Sequence, residues 1–426
     1  MQMKSKKTLL IYAHYFVPDV ASTGQILKEL TDGMKDVFDI TVICVVPSYM
    51  GVVEPGYKTQ KFYREHMNGV DVLRIKVPEF QKGNTKSRII NIMSYFFGAM
   101  GATFLVGKQD YVFAISQPPI LGGLLGVWGK WVKHAKYIYN IQDFNPEQIM
   151  AVGLNKNKFL MRLLMMLDKF SCKRSDLVIT VGRDLVETLE KRFQKKKKPN
   201  CIMINNWIDE DEVFPMDMKN SGVQSFRAKY ELEDAFVIMY SGNIGLYYDL
   251  ENIIKVIRSF PSGTTTRCGR KVVFAFVGAG TIRDKIKEYV QNNQISNVVF
   301  LPYQKKEELV YSLNVADVHW CVNAKGIKGV SCPSKFYGIV ACQKPVLGVL
   351  EEDSEIGYLI RETNCGLCSK PGDYESIKKN IQWFIDHDGS EELFQMGYRG
   401  RDYLEKNLRK NDSIQKYKKA ILEIGQ

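Results

Sequence analysis

Histidine is scarce in this chain. Its five histidines in 426 residues are dispersed and never fall in HExxH spacing, which removes a familiar zinc arrangement. Nine cysteines are scattered through the sequence. The lone CxxC pair, Cys365 and Cys368, has too few ligands for tetrahedral zinc and no strand–CxxC–helix setting. It reads as chance, and the cysteines as free thiols of a reducing compartment. Neither GxGxxG nor a P-loop occurs, no signal-peptide pattern follows the MQMKSKK start, and no repeat of solenoid period is found. Two DxD spellings, Asp209-Glu210-Asp211 and Asp386-His387-Asp388, follow no sheet strand. No metal site is expected.

Long apolar runs are almost missing too. Two uncharged stretches of 19 residues stand out, Ile89–Gly107 and Tyr111–Gly129, and both reach spanning length. The second holds Pro118-Pro119 and several glycines, and reads as strand, loop and helix. The first holds Asn91, Ser94, Thr103 and interior glycines, and reads as a buried or interfacial helix.

Charge is present but uneven. Residues 1–205 carry 30 Lys and Arg against 17 Asp and Glu, while residues 206–426 carry 29 against 30. An anionic partner of the first half is implied: nucleic acid, a membrane surface or a phosphorylated substrate. No nucleic-acid module or aromatic platform accompanies the basic residues. Lys86 and Arg88, at the entrance to the first uncharged stretch, suit anionic lipid headgroups. The four lysines 195–198 read as a solvated loop.

With 45% hydrophobic and 25% charged residues, the chain is globular and long enough for two domains. Short apolar strands alternate with helical segments, the signature of parallel α/β sheets. Strands are expected at 7–13, 40–46, 71–77, 111–116, 136–142, 177–181 and 201–205, then at 236–241, 272–278, 298–301, 315–322 and 345–349. A helix is expected over 25–35. The acidic, aperiodic segment 206–217 marks the joint. This gives one Rossmann-like lobe over 1–205 and a second over 206–409. The last helix, about 410–426, is expected to pack back on the first lobe.

Ligands of open α/β sheets bind beyond the carboxyl ends of the strands, so the loops there are the candidates. His14–Gly24 ends with Thr23 and Gly24 at a helix start, where main-chain N–H groups attract anions. Asp143 follows an apolar strand as an exposed carboxylate, with Asn145 beside it as a helix cap. Gly242 and Gly245 allow close approach to a phosphate. Pro333-Ser334-Lys335 opens a short helix, aiming amides and a full charge at an anion. A departing diphosphate would be stabilised there.

These residues, with Tyr15-Phe16-Val17-Pro18, Pro118-Pro119, Gln142-Asp143, Pro146-Glu147, Tyr240–Gly245, Phe276–Gly280, Ala316–His319, Pro333–Gly338 and Ser354-Glu355-Ile356, resemble a family 4 retaining glycosyltransferase. The likeness is to the bacterial surface-polysaccharide branch that includes colanic-acid-type and fucosamine-type enzymes. It implies the GT-B fold, two Rossmann-like lobes around a cleft, and retention without a metal or other cofactor. The donor would be an NDP-sugar and the acceptor a polyprenyl-diphosphate-linked or other saccharide. The resemblance puts the donor against Gly24, Ser241, Gly242, Asn243, Tyr303, Pro333, Ser334, Lys335, Phe336, Tyr337 and Glu355. His14, Thr23 and Asn145 fall on the acceptor side, and catalysis on Asp143 and Lys335. The protein would act at the cytoplasmic face of the plasma membrane, as a peripheral protein. The family's paired glutamates would fall on Val330 and Gly338, and both are absent. A basic partner for the lysine is also absent, with Lys325 or Lys328 as substitutes. Two alternatives are a nucleotide-sugar epimerase of similar fold and a degenerate transferase acting as an assembly partner.

Overall fold

The computed structural model describes residues 6–19, 22–81, 83–153, 157–194 and 197–425. Val20 and Ala21 of the first glycine loop, and Lys195 and Lys196 of the lysine run, lie outside them. Strands form where β-branched and aromatic residues run between turn formers. The first sheet comprises β1 (Lys7–Tyr12), β2 (Phe38–Val45), β3 (Phe62–Met67), β4 (Val70–Ile75), β5 (Tyr111–Ile115), β6 (Lys136–Ile141), β7 (Leu177–Thr180) and β8 (Cys201–Met203). Its order is β3-β4-β2-β1-β5-β6-β7-β8, parallel except for β3. The second comprises β9 (Ala235–Ser241), β10 (Lys271–Val277), β11 (Val298–Leu301), β12 (Val318–Val322), β13 (Val346–Val349) and β14 (Gly366–Ser369). Its order is β11-β10-β9-β12-β13-β14, all parallel. In each sheet the order reverses beside the first strand, so the loops after β1 and β9 open at the switch points where ligands bind.

Two strands escape the sequence reading. β3 pairs with β4 through an Asn68-Gly69 turn with φ of 50° and 82°, a hairpin signal present in the sequence. β14 is a four-residue edge strand with none of the residues that favour strands. It contains Cys368, and Cys365 just precedes it; both are free thiols. The first helix runs Ser22–Met34, starting earlier than expected.

Four helices cover one face of the first sheet: Thr85–Thr103, Leu121–Lys133, Lys158–Arg174 and Arg183–Phe193. The second lies close because Gly126 faces Tyr137, whose ring is 2.0 Å from where a Cβ would stand. The stretch Ile89–Gly107 therefore falls mostly within a helix that buries Tyr95, Gly98 and Ala99 and exposes Ile89, Ile90 and Phe97. Among the described residues no helix is long and apolar enough to cross a membrane. Tyr111–Gly129 is strand, loop and helix.

The other face takes Ser22–Met34 and the last helix, Lys410–Glu423, whose Ile414, Tyr417 and Ile421 are buried there. The Asn140 amide donates to the Tyr417 hydroxyl at 2.8 Å, and Lys418 pairs with Asp36 at 2.8 Å. The chain thus passes between the sheets twice, after β8 and again before Lys410. Lys410 pairs with Asp209, and its N–H donates to Glu210 at 3.1 Å. Asp209 and Glu210 of the 209–211 acidic triplet are used in this tie. In the other, Asp388 pairs with Arg270 and accepts from Thr266. Among the described residues no group of three or more His, Cys, Asp or Glu could hold a metal ion.

Candidate functional site

Gly242 directly follows β9 and has φ of 141°, a conformation that suits glycine. Its N–H donates to the Val277 carbonyl at 2.9 Å. A Cβ there would stand 2.5 Å from Cε of Lys335. The lysine therefore lies across the glycine, held by close packing. Its Nζ is 3.9 Å from the centre of the Tyr248 ring and 5.2 Å from that of Tyr240, a cation–π seat. The Tyr240 hydroxyl donates to the Asn243 carbonyl at 2.6 Å, fixing the loop. No carboxylate pairs with Lys335 among the described residues. Ser241, Gly242, Asn243 and Lys335 are thus brought together, with Pro333 buried and Ser334 exposed beside them.

Phe336 and Tyr337 do not face this seat. They are 1% and 0% exposed and pack with Leu350, Ile356 and Leu359. After Lys335 the seven-residue helix Lys335–Ala341 is buried residue by residue, as an apolar helix is; the expected donor contacts of Phe336 and Tyr337 are corrected accordingly. Glu355 is also closed off. At 1% exposure, it accepts from Arg183 Nε at 2.6 Å, from the Arg183 N–H at 3.0 Å and from Asn205 at 3.0 Å. A carboxylate this buried needs charged partners, and the first lobe supplies them. Arg183 also stacks on Tyr358 at 3.7 Å. Lys328, one substitute for the missing basic partner, is engaged with Asp353 at 3.1 Å.

The first lobe builds the opposite wall. The Asp143 N–H and the Gln142 N–H both donate to the Ser116 hydroxyl, at 3.3 and 3.1 Å. Asp143 is not the exposed carboxylate expected from its position. It forms a β-bridge with Ser331 of the second lobe, and its carboxyl accepts from the Ser331 side chain. Burial nevertheless pushes the carboxyl above the ordinary range. The next residue, Phe144, donates to the Val330 carbonyl at 2.8 Å, and Asp184 accepts from the Gly329 N–H at 2.8 Å. The loops after β6 and β7 are therefore stitched to residues 329–331, the stretch leading into Lys335.

Arg192 holds the Asp143 loop from below. It donates to Glu147 at 2.7 Å and to the Asn145 carbonyl at 3.0 Å, pairs with Asp168, and lies 4.2 Å from the Phe144 ring. Asn145 is buried, and its Oδ1 has no hydrogen-bond partner among the described residues. The Tyr139 hydroxyl completes the network on Asp168 at 2.7 Å. Arg192 and Arg183 were missed by the sequence reading. Arg183 follows β7 as Asp143 follows β6, so the strand-end rule could have found it. Arg192 sits at the far end of a helix and carried no such signal.

Thr23 donates to Gln117 at 3.1 Å, joining the loops after β1 and β5. A Cβ on Gly24 would be 3.3 Å from the Tyr15 carbonyl. Tyr303, exposed, lies on the loop after β11. His14 is sandwiched between Tyr15 and Tyr95, ring centres 4.1 and 4.9 Å away. Burial, helped by the charge of Arg88, lowers its pKa to about 3. His319 Nε2 donates to the Leu313 carbonyl, 2.8 Å away, and burial lowers its pKa to about 4. Both imidazoles are neutral in the folded chain and titrate near 6.5 when unfolded. Their stabilising contribution is complete above pH 6.5 and is lost as pH falls toward 4. The expected loss is about 1.4 kcal/mol per pH unit for each histidine. Urea unfolding at several pH values between roughly 6.5 and 5 checks this. His319→Gln should flatten the slope, and a flat wild-type profile refutes the assignment.

Residues 223–403 match the family model described as glycosyl transferases group 1. WbjE of Pseudomonas aeruginosa, named a probable glycosyltransferase, is 25% identical over 83% of this chain and 84% of its own length. WcaI of Escherichia coli (strain K12), named for colanic acid biosynthesis glycosyl transfer, is 24% identical over 88% and 91%. Among solved structures, Alr3699/HepE of Anabaena in complex with UDP and glucose superposes with a TM-score of 0.70. It is 12% identical, with 98% of this chain and all of that one covered. The shared fold is GT-B.

Proposed function

We propose, from the premise that this chain is a group 1 glycosyltransferase of surface-polysaccharide type, that it moves a sugar with retention from an NDP-sugar to a lipid-linked or saccharide acceptor. The observation that carries the reading is the unpaired Lys335 laid over Gly242 and Tyr248 at the mouth between two lobes. The HepE complex holds UDP and glucose, which supports a nucleotide-sugar donor. The epimerase alternative has no support in these likenesses.

The donor's C1–O bond to diphosphate stretches, and its electron pair passes to the diphosphate oxygen. Lys335 and the amides of the Gly242 and Ser334 loops take up that charge. The acceptor oxygen bonds to C1 on the same face, and its proton goes to the departing diphosphate. No metal or cofactor takes part in this scheme. Asp143, fixed by Ser116 and Ser331, orients the acceptor hydroxyl or balances positive charge at C1, and His14, Thr23 and Asn145 belong to the acceptor side. Asp143→Asn keeps the shape and should cut kcat about 100-fold, with donor KM little changed. Full activity in that variant removes the role. Incubating the protein with UDP-, GDP- and dTDP-sugars and a polyprenyl-diphosphate saccharide tests the whole reading. Neither transfer nor hydrolysis with any donor refutes it and favours a non-catalytic partner.

The membrane-side acceptor suits the helical layer of the first lobe. Ile89, Ile90, Phe97, Phe104, Leu105, Trp131, Phe159, Leu163 and Met166 are exposed on it or at its helix ends. So many exposed large apolar side chains on one layer mark an interaction surface. The surplus of basic residues in the same lobe favours the anionic inner face of the plasma membrane as the partner.

A further inference from the structure

Away from the cleft, the helices Lys158–Arg174 and Arg183–Phe193 enclose a groove of about 440 Å³. One face of the longer helix lines it with Arg162, Met165, Met166, Lys169, Phe170 and Lys173, and Phe193 closes the end. These positions recur at helical spacing, so floor and rim belong to one continuous stripe. The floor is thioether and aromatic, surfaces that adapt to flexible apolar chains. The rim holds three cations. Lys169 lies 5.5 Å from the Phe193 ring, and none of the three has an ion-pair partner among the described residues. The acid on the same helix, Asp168, is buried and taken by Arg192.

Unpaired cations over an apolar floor are complementary to one class of ligand, a phosphate joined to a hydrocarbon chain. Exposed Phe159, Leu163 and Met166 border the stripe on the same helix, which would continue the apolar path toward a bilayer. We propose that this groove seats one anionic phospholipid, with its phosphate on Lys169 and Lys173, one turn apart, Arg162 adding positive charge farther along the rim, and the start of its chain on Met165, Phe170 and Phe193. The site deepens the membrane reading above from diffuse attraction to a defined lipid site, and it rests on that reading.

The test uses the full chain and two probes. One is phosphatidylcholine vesicles with and without phosphatidylglycerol, followed by sedimentation. The other is dihexanoylphosphatidylglycerol below its micelle concentration, followed by calorimetry. The triple variant Arg162→Gln, Lys169→Gln, Lys173→Gln should bind anionic vesicles about 100-fold more weakly, at about 1 kcal/mol per charge. It should also lose saturable 1:1 binding of the short-chain lipid. A control with equal charge loss, Lys108→Gln, Lys136→Gln, Lys191→Gln, should keep that 1:1 binding. Equal losses in both variants, or inorganic phosphate competing as well as the lipid, overturn the proposal. Donor turnover in water reads the transferase separately: the absence of both transfer and hydrolysis in wild type refutes the enzyme reading, whereas unchanged turnover in the triple variant leaves the lipid result to stand or fall alone.

Discussion

Lys335→Ala should lower kcat/KM with a nucleotide-sugar donor by about 100- to 1000-fold, the usual loss when one donor to developing negative charge is removed. The large figure follows from the seat. Lys335 has no carboxylate partner among the described residues, so its charge is spent on nothing else in the folded chain, and two aromatic faces hold it in place. Gly242→Ala gives the same argument a second arm. It keeps the lysine, but its Cβ would stand 2.5 Å from the lysine Cε on a backbone at φ 141°. The side chain must shift or the loop must deform. Activity should fall in both variants while urea unfolding of Lys335→Ala stays near wild type. A Lys335→Ala protein with undiminished kcat/KM ends the diphosphate assignment.

Arg192→Leu should reduce folding stability by about 3–5 kcal/mol, because breaking a buried ion pair leaves the remaining charge uncompensated. Asp168 is 2% exposed and pairs with Arg192, and Glu147 accepts from the same guanidinium. Burial already pushes the Asp168 carboxyl upward, against the pull of Arg192, so losing the arginine favours its protonated form. The double variant Arg192→Leu, Asp168→Leu should recover part of the loss, because no lone carboxylate then stays inside. Chemical unfolding of both proteins measures the difference. A single variant within about 0.5 kcal/mol of wild type, the usual range for surface changes, would mean the network contributes nothing.

How much of this could be read from the residues depends on how local the cause is. All strands but β3 and β14 were legible because runs such as FVIMYS and KVVFAFV carry their own signal. Lys335 was legible because proline and serine before it mark a helix start. Burial of Phe336 and Tyr337 was missed because motif resemblance was weighed above the apolar run they belong to. Glu355 was misplaced for another reason. Its partner Arg183 lies 172 residues away, and no spacing rule reaches across two lobes. The Asp143–Ser331 bridge is hidden by the same distance. Arg192 belongs with them: the four groups it joins come from two segments, 144–147 and the helix that carries Asp168, both far from it in sequence.

The double passage of the chain between the sheets has a mechanical consequence. Asp209 and Glu210 on one crossing are fastened to Lys410 on the other, so the halves share two adjacent tethers. A single tether permits swivelling about its own bonds, whereas a side-by-side pair resists torsion and leaves bending about one axis as the soft motion. Opening would then resemble a door that first parts the Asp143–Ser331 bridge and the Arg183–Glu355 pair and then moves Lys335 away from Asp143 along one fixed arc. Cutting or loosening either tether would widen that arc into a cone and scatter the encounter between sugar and acceptor.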